Sequence, residues 1–327
     1  MKQTKFKQLD LKVLAFLPFL FLLLFSHAAY AVLLVSDFRQ GTIFEYDSNS
    51  GAYLGIYATG GGLDSPEAMI TGPNGDLLVA DFFAGNIRRY DGTTGNDLGV
   101  FASGGGLSGP HGMVYGPDGN IYVNSIFTNN VLRYDGVTGA FIDEFVSPGS
   151  GGMFEPRGIT FGADNNLYIT SNGANNGVLR FDGTTGAFLN TFTTNTTIQK
   201  PRDLLFGLNG DLFVTSIDDN SVVRYDGITG DFVTDFILGG PDFVPSGMTI
   251  GPDGNFYVGS RENGDILRFD TDGNLIDIFA TGGIINPTNL YFTPDSFVVP
   301  IPGSLVLFVS GILGLAGYSR RRAHQKN

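Results

Sequence analysis

The 327-residue chain contains no cysteine. Disulfide bonds are therefore excluded, and a cysteine nucleophile is excluded with them. Histidine is also scarce, since His111 is the only histidine outside the two terminal segments. No Ser-His-Asp set stands out around it. Stability must come from packing, which a domain of about 260 residues can supply.

Positively charged residues are also scarce in the middle of the chain. Residues 32–296 carry 11 Lys and Arg against 31 Asp and Glu, so their net charge is 11 − 31 = −20. Such a surface repels phosphate backbones, which argues against nucleic-acid binding. Abundant glycine and aromatic residues with few helix formers favour an all-β domain.

The first 31 residues have the order of a secretory signal peptide. An apolar run, Leu14 to Phe25, follows a basic start, and Ala29 and Ala31 form a small-x-small cleavage site that would leave Val32 first. An uncleaved anchor is the alternative, but the run is shorter than the ~20 residues of a spanning helix. We therefore predict export.

Residues 297–327 contain a second apolar segment, which we predict to be a single transmembrane helix followed by a cytoplasmic basic tail. A Val-Pro-x-Pro motif precedes it, and three arginines follow it. The motif residues are Val299, Pro300, Pro302, Arg320, Arg321 and Arg322.

This order resembles the PEP-CTERM sorting signal of Gram-negative bacteria in its Val-Pro-x-Pro variant, with Ile301 where the best-known version has glutamate. The resemblance implies recognition and cleavage by an exosortase-like membrane protease. The product would be attached to the cell surface or secreted, in a bacterium that makes extracellular polysaccharide. A plain membrane anchor is the alternative.

The middle of the chain is repetitive. An aromatic-Asp pair recurs six times with spacings of 44, 44, 47, 44 and 44 residues, and four copies continue as Asp-Gly-x-Thr-Gly. Each unit contains four short apolar stretches separated by Gly, Asn or Asp turns, which is typical of a propeller blade. We expect the aspartates to form turns, and the arginine near each pair to bond acidic groups of the adjacent blade.

Counting the strands, labelled A to D within each unit, predicts how the ring closes. The first strand B, Leu33–Ser36, has no strand A before it, and the last strand A, residues 290–292, has no strand B after it. We predict that these two fragments pair in one blade, which closes a six-bladed β-propeller and hides both free edges.

The repeat resembles the NHL family and its streptogramin-lyase-like and gluconolactonase-like relatives. The resemblance lies in strings such as GPHGMVYGPDGNIYV, residues 109–123, and covers about residues 32–295. It implies a six-bladed propeller but leaves function open, because such propellers include both enzymes and binding proteins.

Candidate site residues follow from the order of the strands within each blade. The start of strand A and the end of strand B share one face, so their side chains should surround the mouth of the central channel. A ligand site and an idle, solvated rim both fit the variation among these positions. The candidates are Asp37, Glu67, Asp81, His111, Arg157 and Arg202.

The sequence favours a binding or scaffold protein over an enzyme. We expect no cofactor, and the partners to be extracellular polysaccharide or an envelope protein. A purely structural matrix protein is a further alternative. A metal-dependent lactonase or lyase is the enzymatic one, and it would need Ca²⁺ or Mg²⁺ at the channel mouth, where Asn124 and Asn172 could add oxygens to the carboxylates.

Overall fold

The computed structural model describes residues 31–173, 176–194 and 198–294. The predicted signal peptide, residues 1–31, lies outside these ranges except for Ala31, and the predicted sorting segment, residues 297–327, lies wholly outside them. Within them, no helix is long and apolar enough to cross a bilayer.

The described residues form 24 strands in six antiparallel four-stranded sheets, which confirms the predicted six-bladed propeller. Blade 1 contains β24, β1, β2 and β3, and blades 2 to 6 each contain four consecutive strands from β4 onward. The strands are β1 Val32–Asp37, β2 Thr42–Asp47, β3 Tyr53–Thr59, β4 Pro66–Thr71, β5 Leu77–Asp81, β6 Asn86–Tyr90, β7 Asp97–Ala102, β8 Pro110–Tyr115, β9 Ile121–Ser125, β10 Asn130–Tyr134, β11 Phe141–Val146, β12 Ile159–Phe161, β13 Leu167–Ser171, β14 Gly177–Phe181, β15 Phe188–Thr191, β16 Pro201–Phe206, β17 Leu212–Ser216, β18 Ser221–Tyr225, β19 Phe232–Leu238, β20 Pro245–Ile250, β21 Phe256–Ser260, β22 Asp265–Phe269, β23 Leu275–Ala280 and β24 Pro287–Phe292.

The hydrophobic core lies between neighbouring blades. The described part of the chain contains six clusters of buried apolar residues, and each joins two adjacent blades. Apart from Val32 at the start of β1, the second strand of every blade is buried over its whole length, because both of its faces meet a neighbouring blade. This explains why these strands are continuous apolar runs rather than alternating patterns. The ring thus has the same kind of interface all the way round.

Blade 1 closes the ring as predicted. Strand β24 pairs antiparallel with β1, and Val35 lies opposite Leu290. The pairing continues beyond the strand, since Val32 N donates to Thr293 Oγ1 over 3.0 Å and Thr293 N donates to the Val32 carbonyl over 2.9 Å. The innermost strand of blade 1 therefore comes from the far end of the repeat region.

The repeated turns have the predicted role. Asp135 Oδ1 accepts hydrogen bonds from the amides of Val137 and Thr138, and these bonds lower the pKa of this carboxyl group. In the corresponding turn of blade 2, Gly95 adopts φ +67°, and a Cβ there would lie 1.9 Å from the Tyr57 carbonyl oxygen of blade 1. Only glycine fits, because both the backbone conformation and the close approach exclude a side chain.

The repeated arginines differ from the prediction. Arg133 bonds Asp143 and approaches Asp118, and both aspartates belong to its own blade. Arg268 does the same with Asp277 and Asp253. The prediction of pairing across blades is wrong because the residues opposite an arginine on the third strand are those of the adjacent strands in the same sheet.

Candidate functional site

The inner strands of all six blades surround a central channel. Five of them begin with proline, which is tolerated because these strands are sheet edges and the missing N–H leaves no ladder bond unmade. The channel holds a cavity of about 120 Å³. Its polar and charged lining comprises Glu67, His111, Arg157, Arg202, Asp203, Thr288 and Asn289.

Glu67 is the centre of a buried charge cluster. Its Oε2 accepts a hydrogen bond from Arg202 Nη2 over 2.7 Å and lies 3.5 Å from His111 Nε2. The side chains of Glu67 and Arg202 are 5% and 2% exposed. The pair joins blades 2 and 5 across the channel, so the fold brings together residues that are 135 positions apart in the chain.

Arg157 completes the cluster from blade 4. Its Nη1 lies 3.5 Å from His111 Nε2, and its Nη2 lies 3.5 Å from Glu155 Oε2. In the side-chain orientation that gives both its amide oxygen and its amide nitrogen a partner, Asn172 accepts a hydrogen bond from Arg157 Nε over 2.9 Å and donates one to the Pro201 carbonyl over 2.9 Å. These contacts hold the guanidinium beside the cavity.

The arginines dominate the electrostatics of the site. Burial, reinforced by the charges of Arg202, Arg157 and Arg261, holds the pKa of His111 well below its ordinary value, so the imidazole is neutral at pH 7. Burial and the charge of Arg202 lower the pKa of Arg261 to about 10. Burial is the main cause of both shifts, and the charges of neighbouring arginines add to it in a domain whose overall charge is strongly negative.

Asp203 is the second acidic group of the cavity. Burial raises its pKa to about 6, although Met248 N and Leu204 N each donate a hydrogen bond to its carboxylate, over 2.8 and 2.9 Å. The side chain joins the inner strands of blades 5 and 6. It changes charge just below neutral pH, within the cavity that Arg202 lines.

Arg202 retains unused hydrogen-bonding capacity. Its Nε is buried and has no hydrogen-bond partner in the part of the chain that the structure describes. A buried N–H without a partner costs about 1–3 kcal/mol, and a charged donor costs more. A ligand or an ordered water in the cavity would satisfy it.

The other two sequence candidates lie elsewhere. Asp37 does not line the cavity, because its Oδ2 accepts hydrogen bonds from the amides of Ile285 and Asn286. Asp81 accepts from Asp64 N and Ser65 N in the same way. Serines at the same repeat position bond the corresponding loops in the remaining blades. The position ties the loop before the inner strand to the second strand, so Asp37 and Asp81 have a structural role.

The metal-dependent alternative would need a cluster of ligands at the channel. In residues 31–173, 176–194 and 198–294, no group of three His, Asp or Glu side chains is arranged to hold a metal ion. The oxygens that the sequence suggested do not converge. Asp37 and Asp81 accept loop amides instead, and Asn124, whose Nδ2 donates to the carbonyls of Arg157 and Gly158, does not line the cavity.

Sequence reasoning missed Arg261 and a group of phenylalanines. These side chains lie one or two positions after the second strand of a blade, immediately beyond the aspartates and serines just described. The residues directly after that strand are Phe38, Phe82, Ile126, Asn172, Ile217 and Arg261. Their diversity at a fixed repeat position was the signal that could have identified them.

The chain matches no family model and no curated protein. Among solved structures it is similar to virginiamycin B lyase from Staphylococcus aureus, with 19% identity, a TM-score of 0.55, and coverage of 70% of this chain and 77% of the other. A streptogramin B lyase structure shows 19% identity and a TM-score of 0.59, with 81% and 87% covered. A chain of the nidogen/laminin complex shows 14% identity and a TM-score of 0.65, with 81% and 99% covered. At these identities the likeness establishes the propeller fold alone, on which both lyases and binding proteins are built.

Proposed function

We propose that this protein is a binding module whose partner presents an anionic group to the mouth of the propeller channel. The observation that carries the proposal is that Arg157 and Arg202 line one cavity, while Arg261 of the next blade is close enough for its charge to lower the pKa of His111 in that cavity. Guanidinium groups suit carboxylate and phosphate geometry, and the unpaired Nε of Arg202 leaves a donor free for such a ligand.

The setting that we propose is the cell envelope. The signal peptide would export the chain, and an exosortase-like protease would process the tail to give a surface-attached or secreted propeller. Its partner would then be extracellular polysaccharide or an envelope protein. Mass spectrometry of the mature termini tests this part separately, because termini other than Val32 and a shortened C-terminus would contradict it.

The arginine site gives the first prediction. We expect Arg261→Gln to weaken the binding of acidic oligosaccharides and acidic peptides about tenfold, since a hydrogen bond to a charged group contributes about 1.5–3 kcal/mol. Calorimetric titration at two salt concentrations measures the effect. Arg180→Gln is the matched control, because Arg180 bonds Asn190 within its own blade. Equal losses in the two variants would contradict the proposal.

The pH dependence of binding gives the second prediction. Asp203 has a pKa of about 6, so it is charged at pH 7 and largely neutral at pH 5. Its protonation removes a negative charge from the cavity, and we expect affinity for a sulfate- or carboxylate-bearing ligand that stays ionised to rise roughly threefold over this interval. Titrations at both pH values measure it. Asp203→Asn should flatten the profile, and an unchanged profile in this variant would assign the effect to another group.

A lyase or lactonase activity is the second candidate, and the buried His111–Glu67 pair inside the cavity favours it. A neutral imidazole beside guanidinium groups could take a proton from a bound substrate. Turnover of lactone or cyclic ester substrates that disappears in His111→Ala, while ligand binding persists, would support an enzyme over a pure binding module.

A further inference from the structure

Four phenylalanines, two of them exposed and two half-buried, form a cluster on the face where the channel opens. Phe38, Phe82, Phe83 and Phe127, here called the phenylalanine ledge, follow the second strands of blades 1, 2 and 3. Phe83 and Phe127 are 64% and 60% exposed. Exposed apolar groups of this size commonly mark interaction sites.

The ledge is not a repeated feature of the propeller. The positions of Phe82 and Phe83 are taken by Asn172 and Gly173 in blade 4, and by Arg261 and Glu262 in blade 6. The outer strands also expose apolar residues, but they do so in every blade. Apart from Arg39 of blade 1, blades 1 to 3 therefore supply apolar side chains at these positions, whereas Arg157, Arg202 and Arg261 come from blades 4 to 6.

The ring geometry indicates what the ledge can hold. The ring centroid of Phe82 lies 5.6 Å from that of Phe38 and 5.2 Å from that of Phe127, and the ring planes meet at 64° in both pairs. The ring planes of Phe82 and Phe83 meet at 78°. Steeply inclined rings make notches rather than a flat platform. A sugar stacks on a flat face and needs partners for its hydroxyls, whereas phenylalanine offers none. An apolar side chain fits such notches.

We infer that the partner is a protein segment that places an acidic side chain in the arginine-lined channel mouth and an apolar side chain on the phenylalanine ledge. This inference rests on the proposed anion site and adds the partner class to it. Complementary charge would fix the segment over the channel, and the aromatic contacts would supply an apolar anchor of the kind that dominates protein interfaces.

Fluorescence titration of the full-length protein with short peptides tests the inference. Three probes are needed: peptides with one aspartate and one phenylalanine joined by glycine spacers of varied length, the same peptides without phenylalanine, and a galacturonate oligosaccharide. We expect the best two-residue peptide to bind about tenfold more tightly than its aspartate-only counterpart. Phe83→Ser and Phe127→Ser should remove that gain and leave the aspartate-only peptide unaffected.

The control variant is Ile228→Ser, which removes an 86% exposed side chain from a turn between the third and fourth strands of blade 5. A gain that survives in both ledge variants overturns the inference, as does a peptide series without any gain. Binding of the galacturonate oligosaccharide that is lost in Phe83→Ser also overturns it, because the ledge then serves a glycan. Failure of the anion site itself is distinguishable, since Arg261→Gln would then leave the aspartate-only peptide unaffected.

Discussion

Replacing Glu67 by glutamine is expected to lower the free energy of unfolding of the propeller by about 3–5 kcal/mol, because removing one partner of a buried ion pair leaves an uncompensated charge. Arg202 bonds Glu67 over 2.7 Å and is 2% exposed. In the variant, Arg202 would share the channel with Arg157 and Arg261 without this carboxylate beside it. Urea denaturation of the variant and the parent protein measures the difference.

Two comparisons make the Glu67 result specific. Lys200→Met breaks the exposed ion pair in which Lys200 Nζ lies 2.8 Å from Asp218 Oδ2. It should change the free energy of unfolding by no more than about 1 kcal/mol. The double variant Glu67→Gln with Arg202→Met removes both charges and should recover much of the loss. A Glu67→Gln protein as stable as the Lys200→Met protein would show that the pair contributes little.

The ring could be predicted from the sequence because its determinants are local and periodic. The aromatic-Asp pairs fix the repeat length, and each turn aspartate bonds amides only two or three residues away. The closing pair of strands followed from a mismatch in the count of first and second strands. Repetition makes each blade evidence for the others, so the prediction gained support from every copy.

The site was harder to predict because it depends on which way each side chain points from a blade backbone that is the same in every repeat. Glu67, His111, Arg157 and Arg202 lie together at the cavity because each is in or just before the first residues of an inner strand. Asp37 and Asp81 lie apart from it, where a carboxylate accepts backbone amides of the preceding loop and the serines of other blades bond the equivalent loop. Shared chemistry at a repeat position indicates a structural role.

Asp203 and Arg261 show a second limit of sequence reasoning. Their pKa values depend on burial and on charges contributed by other blades, far away in the chain. Neither residue belongs to a motif. Only the closed ring brings Asp203 into one cavity with Glu67, which is 136 positions earlier.

Loss of the closing strand is expected to abolish cooperative folding. A chain that ends at Asn286 lacks β24 and therefore the buried Leu290 side chain and every backbone bond between β24 and β1. It also loses Thr288, whose Oγ1 lies 2.9 Å from Ser36 Oγ and donates to the Pro66 carbonyl over 2.8 Å. Strand β1 would then present an open apolar edge, which favours aggregation.

The matched control is a chain that ends at Pro294, because it retains β24 and the two bonds between Val32 and Thr293. Thermal unfolding followed by near-ultraviolet circular dichroism should show one sharp transition for the control and none for the chain that ends at Asn286. Size-exclusion chromatography should show larger species only for the shorter chain. A shorter chain that melts within a few degrees of the control would mean that five intact blades and an open sixth suffice. In that case the interfaces between blades, rather than the closing strand, would hold the ring together.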